Sequence, residues 1–291
     1  MSGEHLPPVY DAARTHAPDR YLSALLAPRT VRGDLVALAG FAGEIERIPL
    51  TVSDPNLGEI RLQWWADSLD PQRLGPAGAM RTGHPVADAV AEMLVRRGLP
   101  ADPLRRMIEA RRTELWADPI GDDAAFARLA TDLEEGAFEL AARVLGARAD
   151  VGCFARAYGM MRQLVRLPLL VARRGRWPLP QQDVDGFDVA GLGDGDVRTA
   201  ATAARARAIG AARDALAEAG PHFRALPAGA IVAALPVAVV GPYLRALSTQ
   251  VDWLAAPAEI TPLERVWRLG AARIAHRLAI PSRGRSLPLL Q

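Results

Sequence analysis

Apolar residues recur at three- and four-residue spacing through ten successive stretches of this 291-residue chain. Nowhere do they alternate with polar ones as a half-buried strand requires. The spacing predicts helices over 19–27, 30–48, 54–70, 84–97, 101–117, 122–146, 150–174, 196–219, 228–254 and 261–280. An all-α fold follows. Along 126–146, Phe126, Leu129, Leu133, Leu140, Val144 and Leu145 form one stripe, and Gly146 supplies a stop. The polar loops 71–83 and 181–195 are short and carry apolar anchors at Leu74, Met80 and Phe187, so they do not read as domain linkers. Half of the residues are hydrophobic, which is ample for one core. A single helical domain is therefore expected over 19–280, between a loosely held segment, 1–18, and a C-terminal tail, 281–291.

The most informative run is Phe41 to Asp70, FAGEIERIPLTVSDPNLGEIRLQWWADSLD. Leu35, Leu38, Phe41, Ile45 and Ile48 give the first helix, and Pro49 is expected to end it because it has no amide proton and crowds the preceding turn. Ser53 or Asp54 can cap the next helix, and Pro55 suits its first turn. Leu57, Ile60, Trp64 and Leu69 then mark the face expected to be buried. Between them lies a surplus of polar groups: Glu44, Glu46, Glu59, Arg61, Gln63 and Asp67.

Composition removes several kinds of chemistry. All 35 basic residues are arginine, so a lysine Schiff base, a phosphate-loop lysine and Ser-Lys catalysis are excluded. The net charge is +2 with acids and bases interspersed, so no nucleic-acid stripe is expected. Cys153 has no second cysteine to pair with, which suits a reducing compartment and a buried, inert thiol. The N-terminus has neither a basic start nor an apolar core, so no signal peptide is expected and the location implied is cytoplasmic. Twenty uncharged residues run from Ala225 to Leu244, but Pro236 and Pro242 interrupt them, and a core helix is expected there rather than a membrane span.

GEIRLQWW, preceded by an F-x-x-E-I helix, resembles the squalene/phytoene synthase family, and within it the branch containing a mitochondrial complex I assembly factor and short bacterial relatives. RYLSALLAPRTVRGDLVALAGFAGEI is similar to the family's opening helix pair, and MIEARRTELWADP to a middle helix. FARLATDLEEGAFELAARVLG resembles the helix before its second motif, and AYGMMRQLVRLPLLVARRGRWPLP occupies that motif. The resemblance implies an isoprenoid synthase-like ring of helices around a central cavity. In active members that cavity holds Mg²⁺ and a prenyl diphosphate between two aspartate-rich helical motifs.

Aligned on Phe41, the first motif's aspartates fall near Glu46, Arg47 and Leu50. Glu44 and Glu46 remain as acids, but two residues of separation put them about 200° apart around a helix, so they cannot share a metal. The second motif holds no acid between Gln163 and Gly175, and Arg162, Arg166, Arg173, Arg174 and Arg176 stand there instead. Five permanent cations repel Mg²⁺. No metal site and no cofactor are therefore expected, Mg²⁺ entering only if the chain is an active prenyltransferase.

The resemblance implies a ligand cavity with Phe41, Glu44, Glu46, Arg61, Gln63 and Trp64 on one wall and Arg162, Gln163 and Arg166 on the other. It would take an isoprenoid, a quinone or a lipid. A closed polar core of buried ion pairs is the competing expectation. For function the resemblance implies a non-catalytic or divergent member that supports assembly of respiratory complex I, with its subunits as partners and peripheral contact at the inner membrane. The alternatives are condensation of two prenyl diphosphates and a soluble protein-interaction module.

Elsewhere the residues read more simply. Asp132, Glu134 and Glu135 are expected on a solvated helix face, and Asp118, Asp122 and Asp123 as helix-capping and first-turn acids. Asp183, Asp185 and Asp188 read as a polar turn. In the last helix Leu263, Val266, Trp267, Leu269, Gly270 and Ile274 are expected to form a packed face. Arg265, Arg268, Arg273 and Arg277 are then expected on a solvated outer face, the alternative being contact with acidic lipid heads.

Overall fold

Helix starts and stops carry most of the architecture. Asp54 accepts from the amide of Asn56 at 2.9 Å, Asp122 from that of Ala125 at 2.6 Å and Asp194 from that of Asp196 at 2.8 Å, each satisfying an amide that the helix leaves open. Gly98, Gly146 and Gly175 close three helices with φ of 60°, 78° and 58°, a left-handed backbone that costs glycine nothing.

The computed structural model describes residues 7–70, 81–116, 118–181 and 189–278. The helices are α1 (Pro8–His16), α2 (Pro18–Leu25), α3 (Arg29–Thr51), α4 (Pro55–Ser68), α5 (Pro85–Arg97), α6 (Asp102–Arg112) and α7 (Asp123–Asp132). They continue with α8 (Glu135–Val144), α9 (Gly152–Arg174), α10 (Gly195–Ala225), α11 (Ile231–Ala234), α12 (Val240–Thr249) and α13 (Pro262–Leu278). Tight turns of 3₁₀ helix occupy 113–115, 189–193 and 235–239. Among the described residues one isolated β-bridge joins Ile120 to Pro180.

The two 23-residue helices α3 and α9 form the centre. Val36, Phe41 and Ile45 of α3 and Phe154, Met161 and Leu167 of α9 are wholly buried. Helix α9 is flanked by α7 and α10, and α3 by α1, α2 and α5. Close approach of α9 to α7 depends on Gly159, where a Cβ atom would lie 2.0 Å from the carbonyl oxygen of Ala130.

The elements depart from the sequence expectations in several places. The segment expected to be loosely held contains α1, because Pro8 fits a first turn and Ala13 is buried against α3. Pro49 does not end its helix, since α3 runs on to Thr51. That last turn is held from α9, where Arg166 Nη2 donates to the Glu46 carbonyl at 3.0 Å and Arg173 Nη1 to that of Leu50 at 3.4 Å. The single helix expected over 126–146 is broken between Asp132 and Glu135, where Glu134 turns inward to bind arginines. The apolar run near 228–254 divides into α11, a 3₁₀ turn at Pro236 and α12, ending at Thr249. With 83% of its most apolar window inside the protein, it is a core element. Finally, among the residues of α13 whose side chains are described, Leu269 and Ala272 are buried while Leu263, Val266, Trp267 and Ile274 face outward. Leu74, Met80, Asp183, Asp185, Phe187, Asp188 and the tail 281–291 lie outside the described residues.

Candidate functional site

Arg162, Gln163 and Arg166 sit at i, i+1 and i+4 on α9, so one side of that helix presents two guanidinium groups and an amide toward α3 and the end of α6. Arg162 donates through Nε and Nη2 to Oε1 of Glu46 at 3.1 and 2.7 Å, and Arg166 Nε lies 3.5 Å from the same oxygen. Arg166 Nη1 reaches on to Oε1 of Glu114 at 2.9 Å, which also accepts from Gln163 Nε2 at 2.7 Å. Arg111 Nη1 donates to the other Glu114 oxygen at 2.7 Å, and its Nη2 to Glu134 Oε1 at 3.1 Å. Arg20 of α2 closes the series on Glu134 Oε2 at 2.8 Å, with its guanidinium carbon 4.4 Å from the centre of the Phe138 ring.

The result is an alternating chain of charge through the interior: Arg162, Glu46, Arg166, Glu114, Arg111, Glu134, Arg20. Three carboxylates face four guanidiniums. Burial by itself would raise the pKa of Glu114, but Arg111 and Arg166 overcome it and hold the carboxyl far below the usual range. Glu46 is likewise lowered, burial being outweighed by Arg162, Arg166 and Arg111. Alongside, the Tyr158 hydroxyl donates to Asp19 at 3.2 Å, and burial together with that carboxylate pushes its pKa well up.

The residues expected to line one cavity separate into two places. Glu46, Arg162, Gln163 and Arg166 do meet, within this network, and Glu46, Arg162 and Arg166 also border a cleft of about 220 Å³ shared with His16, Arg47 and Leu169. Glu44, Arg61 and Trp64 instead line a surface groove of about 450 Å³ between α3 and α4, with Ile48, Ile60 and His84. Gln63 faces out, donating to Asp67 at 2.7 Å and accepting from Arg112 at 2.8 Å. Phe41 is core, its ring 5.4 Å from that of Trp65. Helix α4 is thus turned from the expected register. It buries Gly58, Leu62 and Trp65, with Gly58 against the end of the Leu115 side chain, and leaves Leu57, Ile60 and Trp64 exposed.

Sequence reasoning missed Arg20, Arg111 and Glu114, and it placed Glu134 on a solvated face where the structure buries it. Asp132 is exposed and Glu135 half-buried, as that face requires. A signal was present for two of the missed groups: Arg111 and Glu114 stand at i, i+3 between the apolar Ile108 and Leu115. Cys153 is half-buried, and burial together with Asp150 raises its thiol pKa. Among the described residues, no three His, Cys, Asp or Glu side chains gather as a metal cluster.

The crystal structure of the squalene synthase HpnC from Alicyclobacillus acidocaldarius is similar in fold, with a TM-score of 0.54 at 15% identity over 92% of this chain and 93% of that one. No curated protein matches the chain in sequence. The family model described as squalene/phytoene synthase matches residues 13–265, nearly the whole of the chain. This protein therefore belongs to the squalene/phytoene synthase family.

Proposed function

We propose that this chain is a member of the family that does not ionise prenyl diphosphates with Mg²⁺, and that it acts by holding an isoprenoid, quinone or lipid group in support of respiratory complex I assembly. One observation carries the first part: the inward acids are already committed to arginine. A hard dication takes several free carboxylate oxygens at once, and the spacing that supplies them on a helix is i, i+4. Here the α3 acid that faces α9 is Glu46, its i+4 neighbour is Leu50, and its carboxylate is bonded to Arg162. Opposite it, α9 offers guanidinium groups. The donor set does not suit Mg²⁺.

The groove between α3 and α4 supports the binding part. Its volume of about 450 Å³ lies in the range of small-molecule sites, and Ile48, Ile60, Trp64 and Trp65 give it apolar walls with Arg61 and Arg47 at hand for a polar head. The assembly role rests on the likeness of FAGEI and GEIRLQWW to the assembly-factor branch. Recovery of respiratory-chain subunits on affinity capture in mild detergent supports it, and capture without any membrane-bound partner counts against it. A lipid extract of the purified protein, analysed by mass, identifies the ligand.

Prenyl transfer is the second reading, favoured by a cleft bordered by three guanidinium groups, of Arg47, Arg162 and Arg166, where a diphosphate would have to displace Glu46 from the last two. Incubation with farnesyl or geranylgeranyl diphosphate and Mg²⁺ separates the two. The expected outcome is no pyrophosphate release and no hydrocarbon product. Turnover that disappears in a folded Glu46→Ala variant overturns the proposal.

A further inference from the structure

Arg61 is a cation without a counter-ion beside an apolar groove. Its neighbours at i±3 and i±4 on α4 are Leu57, Gly58, Trp64 and Trp65, so no carboxylate stands one turn away on its own helix. Across the groove its Nη1 donates to the Thr51 hydroxyl at a long 3.4 Å, and among the described residues it forms no ion pair. The other arginines of this surface are taken: Arg112 pairs with Glu59 and Glu109, and Arg47 with Glu44 at 3.4 Å. Glu44 is the one acid lining the groove, and with Arg47 on one oxygen and His16 4.0 Å from the other it leaves the charge of Arg61 unbalanced.

The groove has a polar end and an apolar end. Helices α3 and α4 lie antiparallel, since Thr51 meets Arg61 while Phe41 meets Trp65. Arg61 therefore stands toward the turn that joins the two helices, and the aromatic residues lie farther along. There Trp64 and Trp65 meet edge to face at 5.2 Å, and the His84 ring lies 5.6 and 5.1 Å from them. Ile60 and Trp64 are 66% and 39% exposed, so these apolar walls are open to a ligand.

An apolar trough with one uncompensated guanidinium complements a molecule with one apolar chain and one anionic head. The guanidinium fork takes a carboxylate or a phosphate through two parallel N–H groups, and charge makes such bonds about twice as strong as neutral ones. A quinone or an alcohol leaves that charge unused. The volume of about 450 Å³ lies in the lower half of the range for small-molecule sites, which suits a single chain rather than a two-chain lipid.

We propose that the α3/α4 groove takes a single-chain amphiphile with an anionic head, a carboxylate or a monophosphate, its head on Arg61 and its chain along Ile48, Ile60 and the Trp64–Trp65 pair. This rests on the reading of the groove as a ligand site and names the class of its ligand.

The test is isothermal titration calorimetry of the full chain with decanoate, decyl phosphate, decan-1-ol and ubiquinone-1, each below its micelle concentration, at low and high salt. The anions are expected to bind at least about tenfold tighter than the two neutral probes, and only their binding is expected to weaken with salt. The tighter anion assigns the head. Arg61→Gln, at an exposed position bonded only to the Thr51 hydroxyl, is expected to bring the anions down to the affinity of the alcohol and to leave the alcohol unchanged. Ile60→Ser with Trp64→Ala is expected to weaken all four, with helical circular dichroism retained. Equal affinity for anionic and neutral probes overturns the proposal and leaves the groove a site for a neutral ligand. An anion preference that survives Arg61→Gln overturns it too, by placing the anion elsewhere. If no probe binds, or binding ignores Ile60→Ser with Trp64→Ala, the proposal and the reading of the groove fall together; a Trp64-dependent dimer that shuts out the probes does the same and assigns the face to a second copy.

Discussion

Replacing Glu114 with Gln keeps the shape of the side chain and removes the charge at the middle of the interior network. Glu114 is wholly buried and receives Arg111, Gln163 and Arg166 at 2.7 to 2.9 Å. Loss of one partner from a buried ion pair costs about 3–5 kcal/mol, because the other charge stays desolvated. Arg111 retains Glu134 at 3.1 Å, and Arg166 retains Glu46 at 3.5 Å, so the lower end of that range, about 3 kcal/mol, is expected. With an unfolding entropy near 2.1 cal/mol/K per residue, a chain of this length loses about 0.6 kcal/mol per degree, and the melting temperature of Glu114→Gln should fall by about 5 °C. Urea unfolding followed by circular dichroism gives the free energy. A double-mutant cycle with Arg166→Met isolates the pair and should show a coupling above about 1 kcal/mol. A cost for Glu114→Gln below about 1 kcal/mol, with additive effects in the cycle, would refute the view that this network holds the helices together.

The same carboxylates predict an acid dependence. Glu46 and Glu114 are both lowered from an ordinary 4.5, so their contribution to stability is complete above that pH and is lost as pH falls through their folded values. Urea midpoints should drop below pH 4.5, and Glu114→Gln should show a shallower drop; an identical slope in the two proteins argues against it. Gly159→Ala should force α7 and α9 apart, since the new methyl meets backbone rather than a movable side chain. A loss of about 2–3 kcal/mol by urea unfolding is expected, and a neutral effect would mean the two helices do not cross that closely.

The sequence by itself determined the helical class, most helix positions and the family. These depend on local chemistry: apolar period, the Asp54 cap followed by Pro55, and the left-handed stop at Gly146 are properties of a few adjacent residues. Which face of each helix turns inward was decided only in three dimensions. Leu57, Ile60 and Trp64 satisfy a helical period as well as Leu62 and Trp65 do, and only the assembled core, with Gly58 against Leu115, shows that the second set is buried. The ion network lay further out of reach, since Arg162 and Glu46 are 116 residues apart and Arg20 and Glu134 are 114 apart. A glutamate near an apolar stripe has the same sequence whether water or a distant guanidinium neutralises it. Only the packing of α2, α6 and α9 around the α7–α8 break supplied the cations that let Glu134 and Glu114 stay charged inside the protein.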